Sequence, residues 1–525
     1  MAPPPEWASW TLLAAALVVG VRLRIRFAIG SPLWRDEAQL LGIAQFARPE
    51  EILTFLSHHE SHPPLYFFLT RWWSALAGGS DLIAVGLPLL FGVSTIVAVF
   101  FAGRSLVSPG TGALGAWLTA VSPVLVVFSG SVRPYAFLGL LVLFNCLCLW
   151  RHLSKPVWRT RLAYLLSASL LVYTHNWTWL IITTNGVFWA GLLVLQHRRS
   201  TEWMDLLGTN ILLVMLYLPW VPALINQIRF AGHVPWVGQT WASLFDDLAW
   251  GLTGLPGLAA LCFVGLLALV GRRRGGDRKS IRVADPGPLS VLTWTVLGST
   301  ILATILQPWT PLLVWHSFSM LAPVTLLATT LVLRPQVSKA RWVAAGTAVV
   351  LLVIYGLYSQ SIGTMRKTNI ATMTGLISRM EKAGDLVIVM PAYLSPSFTR
   401  YYGGEATTIT YPDLEVGGAV VFDRRSARDR SPEALHRVLL RAQQTHEEGG
   451  RIWYLAYEGQ PMAVREAGEL IVEKLEELFG PPLCEATDPN VDLFFERTFL
   501  RLFANQAQTE PTLKGGVSRC GGDDE

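Results

Sequence analysis

Apolar stretches about as long as a bilayer is thick recur through most of this chain. Eleven of them fall at 7–28, 82–104, 111–129, 134–151, 161–175, 178–196, 206–224, 249–271, 288–307, 313–333 and 341–361. A helix needs about 20 apolar residues to cross membrane hydrocarbon, and there only helices and closed barrels satisfy their own backbone groups. Runs this long exceed a strand, so residues 1–361 are expected to form a polytopic α-helical membrane domain of about 11 spans. Composition agrees: 15% of residues are charged and 52% hydrophobic, against about 25% charged in soluble domains. The 21 Trp suit a chain with many membrane boundaries, where indole rings collect.

Basic residues orient the spans. With the N-terminus in the cytoplasm, Arg104, the group Arg151 to Arg161, Arg198–Arg199, the group Arg272 to Arg282, and Arg334, Lys339 and Arg341 fall inside. The outer loops then hold Arg22, Arg24, Arg26, Arg35, Arg48, Arg71, Arg133 and Arg229, half as many. Arg22 and Arg26 pull the other way and are read as side chains snorkelling to headgroups. The opening MAPPPEW lacks a basic n-region and a clear cleavage site, so the first span is expected to be a retained anchor. The orientation predicts a multi-pass membrane protein with its C-terminal part outside. The basic excess sits in short loops and implies no nucleic acid.

The long outer loop 30–81 contains "AQLLGIAQFA" and "PLYFFLTRWWSALAG", which suit helices lying in the membrane interface. Residues 362–505 change character. "DLVIVMP" (385–391) and "RIWYLAY" (451–457) read as buried strands, 432–449 and 463–480 as amphipathic helices, and "VDLFFERTFLRLF" as a third strand. A small extracytoplasmic α/β domain is expected there, followed by a disordered tail, 506–525. The five Cys show no disulfide framework or zinc spacing. No P-loop or GxGxxG is present, so nucleotide-driven work has no support.

Ionisable residues near a membrane suggest function by default, and here they fall on one predicted face. "SPLWRDEAQL" places Asp36 and Glu37 just outside the first span. His62 and Tyr66 follow in the same loop, Arg133 and Tyr135 between spans three and four, His175 between five and six, Gln227 after seven, and His316 opens span ten. A carboxylate can take a proton from an acceptor hydroxyl, and Arg and His can neutralise a departing phosphate. That chemistry fits transfer of a group carried on a lipid phosphate. Singly, each residue has a plainer reading: solvated helix-end acids, packed histidines, an arginine capping carbonyls. His58 and His62 have ligand-like spacing, but Pro63 and Pro64 follow at once, so only the turn before them can be helical, and a metal is not expected.

The ordered set "LWRDEAQLLGIAQ", "HPPLYFFLTRWWSALAGGSD", "LPLLFGVSTIVAVFFAGRSL", "SPVLVVFSGSVRPYAF", "YTH" and "LPWVP" resembles the GT-C glycosyltransferases that use polyprenyl-phosphate sugars. The branch is that of the protein O-mannosyltransferases, the lipid A aminoarabinose transferases and RgtA/B/C/D-like enzymes. The resemblance runs through roughly 7–360 and implies an inverting sugar transfer to an unidentified acceptor, lipid, glycan or protein, without cofactor or metal. It implies Asp36 as base with Glu37 in support, Arg133 and His316 at the donor phosphate, and His62, Tyr66, Tyr135, His175 and Gln227 around the sugar. Members often carry an acid at the place of Ser131, an Arg at Gly86 and Arg-Tyr at His316–Ser317, so fewer permanent charges face the phosphate here. Two rival readings are a lipid or glycan transporter or flippase, and an inactive relative acting as a binding module. A carrier predicts charges in mid-span and related halves, which this sequence lacks.

Overall fold

A computed structural model describes residues 6–197, 200–231, 287–306, 320–333, 338–412, 415–416, 419–420, 432–458, 462–488, 493–504 and 518–520. The chain divides into two compact units. One holds 1–29, 62–222 and 237–363, the other 30–61, 223–236 and 364–525. The sequence division kept 30–81 with the spans. By contacts, its first half groups with the C-terminal residues, for reasons given below.

The first unit is helical throughout its described residues. In chain order the helices before the α/β residues are α1 (Glu6–Ala28), α2 (Arg35–Ala44), α3 (Pro49–His59), α4 (Leu65–Ala77), α5 (Asp81–Leu106), α6 (Pro109–Val121), α7 (Pro123–Ser129), α8 (Tyr135–Ser154), α9 (Trp158–Thr174), α10 (Thr178–Leu195), α11 (Ser200–Tyr217), α12 (Val221–Asn226), α13 (Pro288–Leu306), α14 (Leu321–Leu333) and α15 (Ser338–Ile362). All but α2, α3 and α12 lie within the first unit. Among the described residues, five helical stretches are long and apolar enough to cross a membrane, or six if bent α6–α7 counts as one span. The expected segment 249–271 lies outside the described residues. Local signals set the helix starts: Ser80 Oγ accepts from Ile83 N at the start of α5, and Ser108 Oγ from Thr111 N at the start of α6.

Small residues let the α5 and α6 backbones touch. A Cβ on Gly103 would stand 2.9 Å from Gly112 Cα, and one on Gly112 would meet the Phe100 carbonyl at 2.5 Å. A buried polar chain ties four more helices. Asn145 Nδ2 donates to Ser167 Oγ, Asn185 Nδ2 to Asn145 Oδ1, and Thr295 Oγ1 to Asn185 Oδ1. Pro123 has no N–H to give the Thr119 carbonyl, so the helix breaks there and α6 and α7 bend by 63°.

The second unit is built on a six-stranded sheet. Its strands are β2 (Leu386–Met390), β3 (Thr407–Thr410), β6 (Ile452–Tyr457), β7 (Cys484–Ala486), β9 (Thr498–Phe503) and β10 (Ser518–Arg519), in the order β10-β7-β9-β6-β2-β3. Two smaller pairs accompany it: β1 (Arg366–Thr368) with β8 (Leu493–Glu496), parallel, and β4 (Glu415–Val416) with β5 (Ala419–Val420), antiparallel. β2 runs parallel to β3 and β6, and β9 antiparallel to β6 and β7. Alternate residues serve opposite faces. Val387, Val389 and Leu455 pack under α16 (Ile370–Met380) and α17 (Ser395–Tyr401). Leu386, Ile388 and Tyr454 pack under α18 (Pro432–Glu447) and α19 (Met462–Phe479). Both faces are covered, which is why β2 and β6 read as unbroken apolar runs.

Three local readings change. The expected single strand over 491–503 is two, β8 and β9, which join different sheets. The tail beyond 506, expected to be disordered, contributes β10, paired with β7. A disulfide joins Cys484 and Cys520, where spacing alone offered no framework; the parallel β7–β10 pairing brings the two cysteines together.

Candidate functional site

The acidic pair at the start of α2 is held from several sides within the second unit. Gly30 leaves α1 with φ +78°, a left-handed turn that favours glycine. Ser31 Oγ then accepts from Lys367 N at 2.6 Å, Leu33 N donates to Tyr401 Oη at 2.6 Å, and Trp34 stacks on Phe495 with centroids 4.6 Å apart. The three charges that follow part ways. Glu37 accepts from the Trp34 N–H at the helix start, and the Lys367 ammonium reaches its two oxygens at 3.0 and 2.9 Å. Both side chains of this pair are wholly buried. Arg35 sits 3.5 Å from Glu496 and 3.6 Å from Asp36, with its guanidinium 4.4 Å from the Tyr393 ring centre and 5.0 Å from that of Tyr457. Asp36 keeps 32% of its side chain accessible.

Burial pushes the Glu496 carboxyl up to about 7, against the pull of Arg35 and of the Thr368 hydroxyl bonded to it. Burial also works against the Arg35 charge, but Glu496 and Asp36 outweigh it, so the guanidinium lies above its ordinary value. The site thus holds two cations among three carboxylates, and only Asp36 among the acids is partly open.

A second cluster lies in the first unit. His62 and His175 meet edge to face with ring centres 4.8 Å apart, the Tyr135 ring lies 6.4 Å from His175, and the Arg133 guanidinium stands 5.9 Å from the Tyr135 ring centre. His175 Nδ1 accepts from Trp177 N at 3.2 Å, so a neutral ring carries its proton on Nε2. Pro134 at the head of α8 and the short turn after α9 place these residues. Tyr66, on α4, is buried with its ring 6.4 Å from that of Phe137. Such a group offers a cation, two imidazoles and aromatic faces. Among the described residues no three His, Cys, Asp or Glu are grouped to hold a metal.

The remaining sequence candidates fall elsewhere. Gln227, in the second unit, donates through Nε2 to the Leu56 carbonyl at 2.9 Å and fastens the π-helical turn Gln227–Ala231 to α3. His316 lies outside the described residues. The departures at Gly86 and Ser131 have local reasons. A Cβ on Gly86 would stand 3.0 Å from the Trp73 indole, and Ser131 Oγ donates to the Val127 carbonyl.

Sequence reasoning missed Arg24, Lys367 and Glu496. Arg24 looked like an outer-loop charge, yet it lies within α1 and is wholly buried. Its guanidinium donates to the Thr119, Ala120 and Gly20 carbonyls at 3.0, 2.8 and 3.0 Å and to Ser129 Oγ at 3.1 Å. It caps the break that Pro123 makes. Pro123 was the available signal, since a proline in an apolar run leaves a carbonyl needing a donor.

No family model matches this sequence, and no curated protein matches it. Solved structures do. ArnT from Cupriavidus metallidurans in the apo state aligns with TM-score 0.54 and 11% identity, covering 95% of this chain and 98% of that one. The same protein bound to undecaprenyl phosphate aligns with TM-score 0.55 over the same shares. At that identity the likeness establishes the fold: a polytopic GT-C membrane architecture with a C-terminal sheet domain, the fold that the ordered motifs implied.

Proposed function

We propose that this chain, which has the fold of ArnT, is an integral membrane glycosyltransferase that moves a sugar from a polyprenyl-phosphate carrier to an acceptor hydroxyl at the outer face of the inner membrane. The observation that carries the reading is the unequal fate of adjacent acids. Glu37 is sealed against Lys367, while Asp36 remains accessible, and a base must be reachable by the hydroxyl it serves. Asp36 takes the acceptor proton as the acceptor oxygen attacks the anomeric carbon. The bond from that carbon to the phosphate oxygen breaks from the opposite face, inverting the centre. The carrier leaves as polyprenyl phosphate, which needs no general acid.

Arg133 and His316 are assigned to the phosphate charge, and His62, Tyr66, Tyr135 and His175 to the sugar, while Gln227, bonded to the Leu56 carbonyl, acts through structure. Glu37 acts here through structure, fixing the start of α2, and not as a second base. The undecaprenyl phosphate bound to ArnT supports the carrier class. The Cys484–Cys520 disulfide supports an oxidising compartment for the C-terminal unit, and with it the outer face of the inner membrane.

The test uses the full chain in lipid nanodiscs with a panel of labelled polyprenyl-phosphate sugars and membrane extract as acceptor source. Release of polyprenyl phosphate by the wild type and its loss in Asp36→Asn is the expected result. Equal turnover by both would remove Asp36 as base. Donor binding without turnover in the wild type would favour an inactive relative acting as a binding module.

A further inference from the structure

Parallel strands β2 and β6 are neighbours whose chains leave in opposite directions. β2 continues through α17 to β3 on one side, and β6 continues through α19 on the other sheet face towards β7. In doubly wound sheets the crevice beyond the carboxyl ends of two such strands is where ligands bind. Tyr393 follows β2 and Tyr457 ends β6. The Tyr393 and Tyr457 rings meet edge to face, and the group that lies against both is Arg35, from the start of α2.

We propose that the C-terminal α/β domain is a positioning platform for Asp36, acting through Arg35 lodged in the sheet's crevice and shared between Asp36 and Glu496. The proposal rests on the reading of Asp36 as base and adds Arg35, Tyr393, Tyr457 and Glu496 as positioning residues. Arg35 is one residue from Asp36, so fixing its guanidinium fixes the first turn of α2. The buried Glu37–Lys367 pair fixes the same turn from the next position. An arginine packed against two aromatic rings is restrained in direction, and Glu496 accepts in turn from the Thr368 hydroxyl of the neighbouring strand β1. The charged groups gathered at this turn are Arg35, Asp36, Glu37, Lys367 and Glu496. Removing Arg35 takes a cation from beside position 36. Removing the Glu496 charge leaves Arg35 to act on position 36 alone and takes away a like charge. The two changes therefore act on position 36 with opposite sign.

A thiol at position 36 reads this without any turnover. Asp36→Cys is made in the full chain with Cys146→Ala and Cys148→Ala, and its alkylation rate by iodoacetamide is followed against pH in nanodiscs. Adding Arg35→Gln is expected to raise the apparent thiol pKa by about one unit, and adding Glu496→Gln to lower it by about half a unit. Arg35→Lys, which keeps the charge, is expected to leave the titration close to the parent. In the otherwise unmodified enzyme, Arg35→Gln is expected to lower kcat about tenfold, equivalent to about 1.4 kcal/mol, with donor KM unchanged. Identical thiol titrations in the parent, Arg35→Gln and Glu496→Gln proteins would overturn the platform. Glu496→Gln is nearly isosteric, so it carries the test if Arg35→Gln misfolds. Turnover retained in Asp36→Asn would instead overturn the catalytic reading, and the thiol titration would still decide whether the domain acts on position 36.

Discussion

Arg24 and Arg35 stand close in sequence and are both buried, yet they are satisfied in opposite ways. Arg24 gives its hydrogen bonds to three main-chain carbonyls and one hydroxyl. Arg35 lies among two carboxylates and aromatic rings. In hydrocarbon, backbone carbonyls have no water to fall back on, so a helix broken at Pro123 supplies acceptors that a guanidinium can fill. Outside it, a charge can be met by charges of the other sign, and those can be arranged to act on a neighbour. The first arginine holds a bend. The second is shared with a residue assigned to chemistry.

The strongest way to break this comparison is to remove a partner from the carboxylate side. Lys367→Ala leaves Glu37 buried without its ammonium, and the second unit is expected to lose about 4 kcal/mol, read as a fall in its denaturant midpoint. Replacing both members, Glu37→Leu with Lys367→Met, is expected to recover most of that loss, because an apolar pair of similar volume avoids the desolvation cost. If the single variant unfolds like the wild type, the buried pair is not what holds α2.

Next is the carbonyl side. Arg24→Met is expected to cost about 3 kcal/mol by stranding the Thr119 and Ala120 carbonyls and to speed hydrogen exchange locally over 119–130. Arg24→Lys, which reaches fewer of the four acceptors, should fall between. A loss spread evenly over the first unit, with 119–130 no faster than the rest, would show that Arg24 is not the cap of the bend.

Third comes the covalent tie. Reducing Cys484–Cys520 is expected to cost about 2 kcal/mol and to free β10 first, seen as proteolysis after residue 504 with the strands 386–503 still protected. Protection of 518–520 after reduction would mean that the β7–β10 pairing stands without the bond.

The last effect is a change of slope with pH. Burial sets the folded Glu496 carboxyl at about 7, above its ordinary 4.5. Its contribution to stability is therefore fully present below 4.5 and is lost as pH rises through 7. Across that window Glu496→Gln should flatten the pH dependence of the second unit's stability. An unchanged slope would mean that Glu496 titrates as an ordinary carboxyl.

Some of the candidate site could be proposed from the sequence. Asp36, Arg133 and His175 stood out because charged and imidazole groups beside apolar runs are conspicuous, and the quoted motifs gave their order. The strands within 385–391 and 451–457 were legible because both sheet faces are buried and the runs 386–390 and 452–457 carry no charge. Helix α3 was not, since "PEEILTFLSHH" is short and half polar. β8 and β9 ran together because Arg497, which separates them, gives no turn signal.

The sequence by itself determined that this is a membrane-spanning helical chain with an α/β domain, because hydropathy and periodicity are local and each segment carries its own signal. Tertiary structure alone decided which charge meets which. Glu37 and Lys367 lie 330 residues apart, and Arg35 reaches Glu496 across an even longer span. Three adjacent charges in "WRDE" are indistinguishable by spacing. Their different burial arises only when β1, β8 and the ends of β2 and β6 close around them.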